Sequence, residues 1–381
     1  MNDDAIKVLF DELRRELPEA RRDVPLAPYC AYRVGGPARL LVEARTDAEL
    51  LRALSAGADL GLPITVLGQA TNVLIGDGGV PGLVIMARTH AWTVHEDVLI
   101  TAAGTVLAEL IVDLAERGLG GLEFAANIPG SVGGAVVGNA GAYGRCIADA
   151  LIDVDVTAPG GRLTTVAPAD LQLDYRTSVL KRARRRRGGA TGRPGAGATR
   201  AGRGTAATAG PEAGTTRAGS GAATAGRTVT GPAPGDTATS TEAEAHGGTA
   251  MPAGTEAVPA DAVVVTARFR LSPGSRTALL DEIARDAELR RSKHPLEYAS
   301  CGSYFKNPSP QRPAARLIEE AGLKGFTIGR ARVSERHANF LVALDGARAA
   351  DIRTLAAEVR RRVEEVHGVR LEEEVVHIGL D

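Results

Sequence analysis

Between Lys181 and about Pro259 the chain changes character sharply and only once. The text "RARRRRGGATGRPGAGATRAGRGTAATAGPEAGTTRAGSGAATAGRTVTGPAPGDTATSTEAEAHGGTAMPAGTEA" is Arg, Gly, Ala, Thr and Pro with almost no large apolar residue. Such a stretch cannot bury enough surface to offset the entropy of ordering it. Residues 182–258 are therefore expected to be a disordered low-complexity insertion. Patterned sequence resumes on both sides, in "RLTTVAPADLQLDYRTSVLK" and "AVVVTARFRL", which look like pieces of one β-rich unit. The two blocks must then fold as one body, with the tract looped out between neighbouring strands. Closure entropy grows only logarithmically with loop length, so a long insertion is tolerated there. Its basic run "KRARRRR" has the charge to dock on nucleic acid, anionic lipid or an acidic partner, but such runs are usually solvated linker.

The 381 residues are 44% hydrophobic with a formal net charge of -1, enough for two or three cores and against a simple basic nucleic-acid binder. The start, "MNDDAIKVLFDELRRELPEA", is acidic and amphipathic, with Ile6, Leu9, Phe10, Leu13 and Leu17 at helical spacing, and does not read as a signal peptide. No apolar run approaches the roughly 20 residues that span a bilayer. Cys30, Cys146 and Cys301 are widely separated and lack metal-ligand spacing, which fits a reducing cytoplasm and no zinc site.

Outside the tract three units are expected. Residues 1–88 contain a β-α-β pattern: "RLLVEA", the helix "DAELLRALSAGADLG" with Leu50, Leu51, Leu54 and a terminal Gly61, then "PITVLG" and "GLVIMA". Residues 89–181, rejoined at 259–272, alternate strands such as "VLITAAG" with the helix "TVLAELIVDLAERG". Residues 273–381 open on a charged helix and end on one whose stripe is Ile352, Leu355, Val359, Val363 and Val366 before Gly368. The strand "VRLEEEVVHIG" closes the chain. The class is α/β (α+β).

Three glycine-rich segments punctuate the first two units: "YRVGGPA" at 32–38, "VLGQATNVLIGDGG" at 66–79 and the uncharged "IPGSVGGAVVGNAGAYG" at 128–144. Each alone reads as an ordinary tight turn. Glycine also lets a backbone or ligand approach closely, and successive N–H groups make anion-binding concavities. Together, with no G-x-G-x-x-G and no P-loop, they point to a bulky phosphate-bearing ligand held by loops outside the Rossmann scheme.

The motifs "YRVGGPA", "LGQATNVLIGDGGVPGLVI", "EFAANIPGSVGGAVVGNAGAYG", "YRTS", "CGSYFKNP", "VSERHANFLV" and "LEEEVVHIG" stand in the order and approximate spacing of the UDP-N-acetylenolpyruvoylglucosamine reductases. The chain resembles that family over essentially its whole length except the insertion. The resemblance implies a two-part FAD-binding domain of the vanillyl-alcohol-oxidase-like (PCMH-type) fold and a C-terminal α+β substrate-binding domain. It further implies FAD as cofactor, NADPH as hydride donor, and reduction of an enolpyruvyl ether to UDP-N-acetylmuramate in peptidoglycan precursor synthesis. Cofactor contacts implied are Arg33, Gly35 and Gly36; Gly68, Gln69, Ala70, Thr71 and Asn72; and Ile128, Pro129, Gly130, Ser131, Val132, Gly133 and Gly134. Asn139, Gly141, Ala142 and Tyr143 complete them. The turn "GQATN" and Asn127 depart from the smaller residues more usual in the family, and added side chains narrow the room for a cofactor.

Hydride addition to an enolpyruvyl group leaves negative charge beside a carboxylate, so the protein must stabilise an enolate-like dianion and protonate it. Ser303 matches the family's proton donor and Arg176 its carboxylate-side arginine, a planar fork that stays charged. Tyr175 and Thr177 give a strand-like alternation that turns Arg176 inward. Glu374 is the third catalytic candidate. By period two it shares a face with Val376 and Ile378, where partial burial would favour its protonated form. Lys293, Asn307 and Asn339 match positions that hold the nucleotide sugar and its diphosphate, and Lys306 joins them by adjacency. A small nucleotide sugar is thus the expected partner, without a metal. Two rivals stay open: an oxidase of the same cofactor fold, which has no need of Ser303, Arg176 and Glu374 together, and a non-catalytic flavin- or nucleotide-sugar-binding protein.

Overall fold

The computed structural model describes residues 3–188, 229–230, 258–259 and 261–379. In the first sheet, strands Pro37–Ala44 and Val80–Ala87 run parallel side by side. Ile64–Leu67 lies parallel to the second and Arg21–Pro25 antiparallel to the first. The two central strands are apolar almost throughout because both faces are covered. Leu40, Val42, Leu83 and Ile85 share a core with helices α1 (Asp3–Glu16) and α2 (Asp47–Asp59). Their neighbours Leu41, Val84 and Met86 point the other way, into a core shared with Tyr304, Leu317, Val333, Ile352 and Val375.

The second sheet is antiparallel, in the order Thr164–Val166, Leu151–Thr157, Val263–Arg270, Val98–Ala102, Trp92–His95 and Val229–Thr230. It packs against α3 (Leu107–Glu116) and α4 (Val132–Gly138). The tract does not leave from a strand. After the short α5 (Pro168–Leu171) comes α6 (Val179–Gly188), started by Ser178, whose Oγ accepts the Lys181 N–H at 3.1 Å. Part of the insertion expected to be disordered thus belongs to regular elements. Residues 182–188 continue α6, in keeping with the helix propensity of Arg and Ala, and Val229–Thr230 pairs with Val94 and Thr93 as β-branched residues favour. The rest of 182–258, apart from Val258, lies outside the described residues.

The C-terminal part holds α7 (Arg276–Lys293), α8 (Ala314–Glu320), three short strands from Thr327 to Ala343, and α9 (Ala349–His367). Ile352, Leu355, Val359 and Val363 of α9 are buried, whereas Val366 is 60% exposed in the last turn, past the edge of the core. Gly368, at φ +64°, ends the helix in the left-handed conformation that glycine adopts without strain. This part is joined to the N-terminal part in three ways. Val376–Ile378 pairs parallel with Val73–Ile75, the Asp77 carboxylate accepts the Ala349 and Ala350 N–H groups at 2.9 and 3.0 Å, and the core is common.

Candidate functional site

Two of the three glycine segments meet. The turn at 68–72 leaves strand Ile64–Leu67, and the Thr71 hydroxyl donates to the Pro129 carbonyl at 2.9 Å. A Cβ on Gly68 would stand 2.1 Å from Ser131 Oγ, so only glycine allows this approach. Gly130 sits at φ +146°, and a Cβ there would lie 3.2 Å from Thr71 Oγ1. Neither residues 68–72 nor 128–134 include a charged side chain. Gln69 is half-buried in this turn, and Ala70, at φ +47°, accepts the Ala31 N–H at 3.3 Å. The third segment braces the following turn: Gly35 is packed on Ile75 and Gly36 on Asp77 and Gly79, while Arg33 is exposed.

The stretch 128–144 is not one continuous wall. Residues 128–131 form the loop that meets the 68–72 turn. Ser131 then caps α4, its Oγ accepting the Gly134 N–H at 3.3 Å, and Val132, Gly133, Ala135 and Val136 are buried. Small side chains let this helix lie close, since a Cβ on Gly133 would come within 2.8 Å of Ala103 Cβ. Asn139 ends it at φ +42°. Its amide is committed inside the protein, Nδ2 to the Asp174 carbonyl and Oδ1 to the Ala148 N–H, both at 3.1 Å. Gly141 and Ala142 pair with Cys146 and Arg145 in a hairpin turned at Tyr143 and Gly144, both at positive φ. The Tyr143 hydroxyl donates to the Asp286 carbonyl of α7 at 3.3 Å. Asn139 and Tyr143 thus place their polar groups on protein partners. Asn127 does likewise, its amide donating to the Ile283 carbonyl at 3.1 Å, which fixes that side chain to α7.

The catalytic candidates are brought together by a short ladder. Residues 303–306 form its middle, with Ser303 bridged to Phe340 on one side and Phe305 to Glu373 on the other. The Glu374 N–H donates to the Tyr304 carbonyl at 2.7 Å, which sets Glu374 opposite the residue after Ser303. Asn72 couples this ladder to the glycine turn: its carbonyl accepts the Val376 N–H at 3.1 Å and its Nδ2 donates to the Glu374 carbonyl at 3.4 Å.

Arg176 reaches the same place by a route that alternation does not describe. Asp174 and Thr177 exchange backbone hydrogen bonds of 3.1 Å, closing a tight turn with Arg176 at φ +55°. Such a conformation is uncommon outside glycine and is held here by the turn. From it, Arg176 Nε lies 3.2 Å from Glu374 Oε1, with side chains 26% and 17% exposed, and Nη2 donates to the Gly141 carbonyl at 2.6 Å. The Nε contact is an ion pair rather than an aligned hydrogen bond, since this buried nitrogen has no hydrogen-bond acceptor. Sequence alone supplied burial for Glu374; the structure adds a guanidinium beside it.

A cleft of about 350 Å³ opens next to this pair. Asp174, Tyr175 and Thr177 form one wall, Lys306, Asn307 and Pro308 another, and Arg370 and Glu372 a third. Lys306 Nζ is paired with Glu372 at 2.7 Å, and Asn307 Oδ1 accepts the Ala314 N–H at 3.0 Å at the start of α8. Lys293 is exposed at the end of α7 and does not line the cleft. Asn339, expected to hold the nucleotide sugar, faces inward in the structure. It is 2% exposed, and its amide accepts the Phe305 N–H at 2.9 Å and donates to the Phe305 carbonyl at 2.8 Å. That clamp ties the side chain to the ladder that carries Ser303. Arg370, Asp174 and Tyr175 were missed as site residues because only the fold gathers them; no motif links 174–175 to 370.

Behind Ser303, Phe340 packs with His294 and His337, at ring-centroid distances of 4.8 Å each. Burial lowers both imidazoles, His294 to about 4. Among the described residues, no group of three or more His, Cys, Asp or Glu side chains converges as a metal site, and no helix is long and apolar enough to cross a membrane.

Comparison with known proteins matches residues 38–167 to an FAD binding domain and residues 294–378 to the UDP-N-acetylenolpyruvoylglucosamine reductase C-terminal domain. The UDP-N-acetylenolpyruvoylglucosamine reductase of Synechocystis sp. is 33% identical over 94% of this chain and 90% of its own length. This chain belongs to the UDP-N-acetylenolpyruvoylglucosamine reductase family. The family member from Rubrobacter xylanophilus is 35% identical, covering 96% of this chain and 98% of that one. The crystal structure of the Thermus caldophilus reductase superposes with a TM-score of 0.63 at 29% identity, covering 94% of this chain and all of the other. The FAD-binding match spans both meeting glycine segments, 68–72 and 128–134. Two uncharged turns in close apposition fit that cofactor, with no side-chain charge in either and Asn127 tied back to α7. Within 128–134 the Ile128, Val132, Gly133 and Gly134 N–H groups are already bonded inside the protein, so only Gly130 and Ser131 of that segment are left as backbone donors to a pyrophosphate.

Proposed function

We infer that this protein reduces UDP-N-acetylglucosamine enolpyruvate to UDP-N-acetylmuramate with NADPH, in the cytoplasm, as a step toward peptidoglycan. The observation that carries this reading is the chain of contacts in which Asn72 of the glycine turn holds the Glu374 segment, Glu374 pairs with Arg176, and Arg176 holds Gly141. FAD, held by residues 68–72 and 128–134, would relay a hydride from NADPH to the terminal enolpyruvyl carbon.

Arg176 then faces the substrate carboxylate. A guanidinium fixed by Gly141 and Glu374 needs little reorganisation as negative charge develops beside that carboxylate. Glu374 holds the guanidinium's orientation. The Ser303 hydroxyl gives its proton to the carbon next to the carboxylate and is reprotonated from solvent. A serine is a weak acid, but the enolate is a strong base, and a positioned donor contributes typically 10²–10⁴-fold. Ser303→Ala tests the reading in two halves. NADPH should still bleach the bound flavin at the wild-type rate, while formation of UDP-N-acetylmuramate falls by about 10²-fold or more. Unchanged product formation would remove Ser303 from the role, and no product from the wild type would refute the reaction.

A further inference from the structure

We propose that Arg370 is a substrate-binding residue that receives the diphosphate of the nucleotide sugar in the cleft beside Arg176. This rests on the reductase reading and adds a residue to its binding site. The substrate carries two separate anions, the enolpyruvyl carboxylate and the diphosphate. Arg176, engaged with Glu374 and Gly141, stands in sequence between Tyr175 and Thr177, which line the cleft, and provides for the first. Of the cations lining the cleft, Lys306 is paired with Glu372 at 2.7 Å. Arg370 makes no ion pair or hydrogen bond with any described residue, although Asp174 and Glu372 line the same cleft. Asp174 is turned to its own loop, its Oδ1 accepting the Tyr175 N–H at 2.6 Å.

The backbone that carries Arg370 is fixed. Gly368 ends α9 in the left-handed conformation, Val369 packs on the core, and Leu371 is 2% exposed, with its carbonyl accepting from Arg360 Nε at 3.2 Å. An exposed guanidinium between anchored neighbours is a pre-organised fork, and its planar geometry suits two phosphate oxygens at once. NADPH also bears phosphates, so the test must separate the two nucleotides.

The test compares holoenzyme with Arg370→Ala and Arg370→Lys, which alter an exposed side chain. Arg370→Ala should raise the KM for the enolpyruvyl sugar about tenfold or more and weaken UDP binding in calorimetry by a similar factor. Its kcat and the NADPH concentration dependence of flavin bleaching should stay at wild-type values, and Arg370→Lys should recover part of the loss. Added salt should weaken UDP binding less in the alanine variant than in the wild type. If the wild type turns over the enolpyruvyl sugar and Arg370→Ala shows the same KM and UDP affinity, the proposal is wrong. A loss confined to NADPH also overturns it. Failure of the wild type to turn over the sugar would instead refute the reaction on which it rests.

Discussion

Arg176, Glu374 and Asn339 show how far a residue's identity predicts its use. All three stand in motifs that mark them as polar site residues, but only the fold shows what each side chain touches. Arg176 and Glu374 meet at 3.2 Å beside a cleft, whereas Asn339 pairs both ends of its amide with Phe305. Leaving a buried donor or acceptor unpaired costs about 1–3 kcal/mol. Asn339→Ala leaves one of each, so the variant should lose about 2–6 kcal/mol of unfolding free energy in urea while the folded fraction binds UDP normally. Normal stability with weakened UDP binding would return Asn339 to the ligand-contact role that the resemblance implies. Arg176 carries the complementary lesson. Its motif was legible, but the alternation around it suggested a strand, and the tight turn at φ +55° depends on hydrogen bonds between Asp174 and Thr177.

Strongly periodic segments could be read from sequence with little loss: the helix of Leu50 and Leu54, the stripe of α9 up to Val363, and the paired central strands. Short, partner-dependent pieces could not. The "LEEEVVHIG" segment forms only Val376–Ile378 as strand, since its ladder comes from Val73–Ile75, and the helix of 132–138 hides in a run read as loop because glycine and alanine give no periodic signal. The junction after α7 has a testable consequence. His294 is held well below its usual value by burial, so folding favours its neutral form while the unfolded chain still takes up a proton. Its contribution is present above pH about 6.5 and is lost as pH falls toward about 4. Melting temperature should therefore decline over that interval, and His294→Phe should flatten part of the decline; an identical profile in the variant would show that His294 does not contribute. The insertion makes a second case. Replacing residues 189–257 by a flexible linker should leave turnover and melting temperature nearly unchanged, because closure entropy depends weakly on length. A drop of several degrees would show that the Val229–Thr230 ladder stabilises the second sheet.

At the scale of the whole molecule, the C-terminal part is built onto the N-terminal part. The shared core, the parallel pair Val73–Ile75 with Val376–Ile378 and the Asp77 cap on α9 fix Glu374 against the turn that carries Asn72. A short hairpin supplies Gly141 and the 174–177 turn supplies Arg176, so the candidate site exists only where distant segments of the chain meet. Sequence reading could assign each motif but not this closure, which depends on cores shared between distant segments. The central claim is that this meeting point couples NADPH oxidation to reduction of the enolpyruvyl sugar. The most direct measurement is NADPH consumption by the purified protein, supplied with FAD under low oxygen, with and without UDP-N-acetylglucosamine enolpyruvate. Consumption that requires the sugar, with UDP-N-acetylmuramate formed in equal amount, is the predicted result. Consumption indifferent to the sugar, or none despite bound flavin, would contradict it.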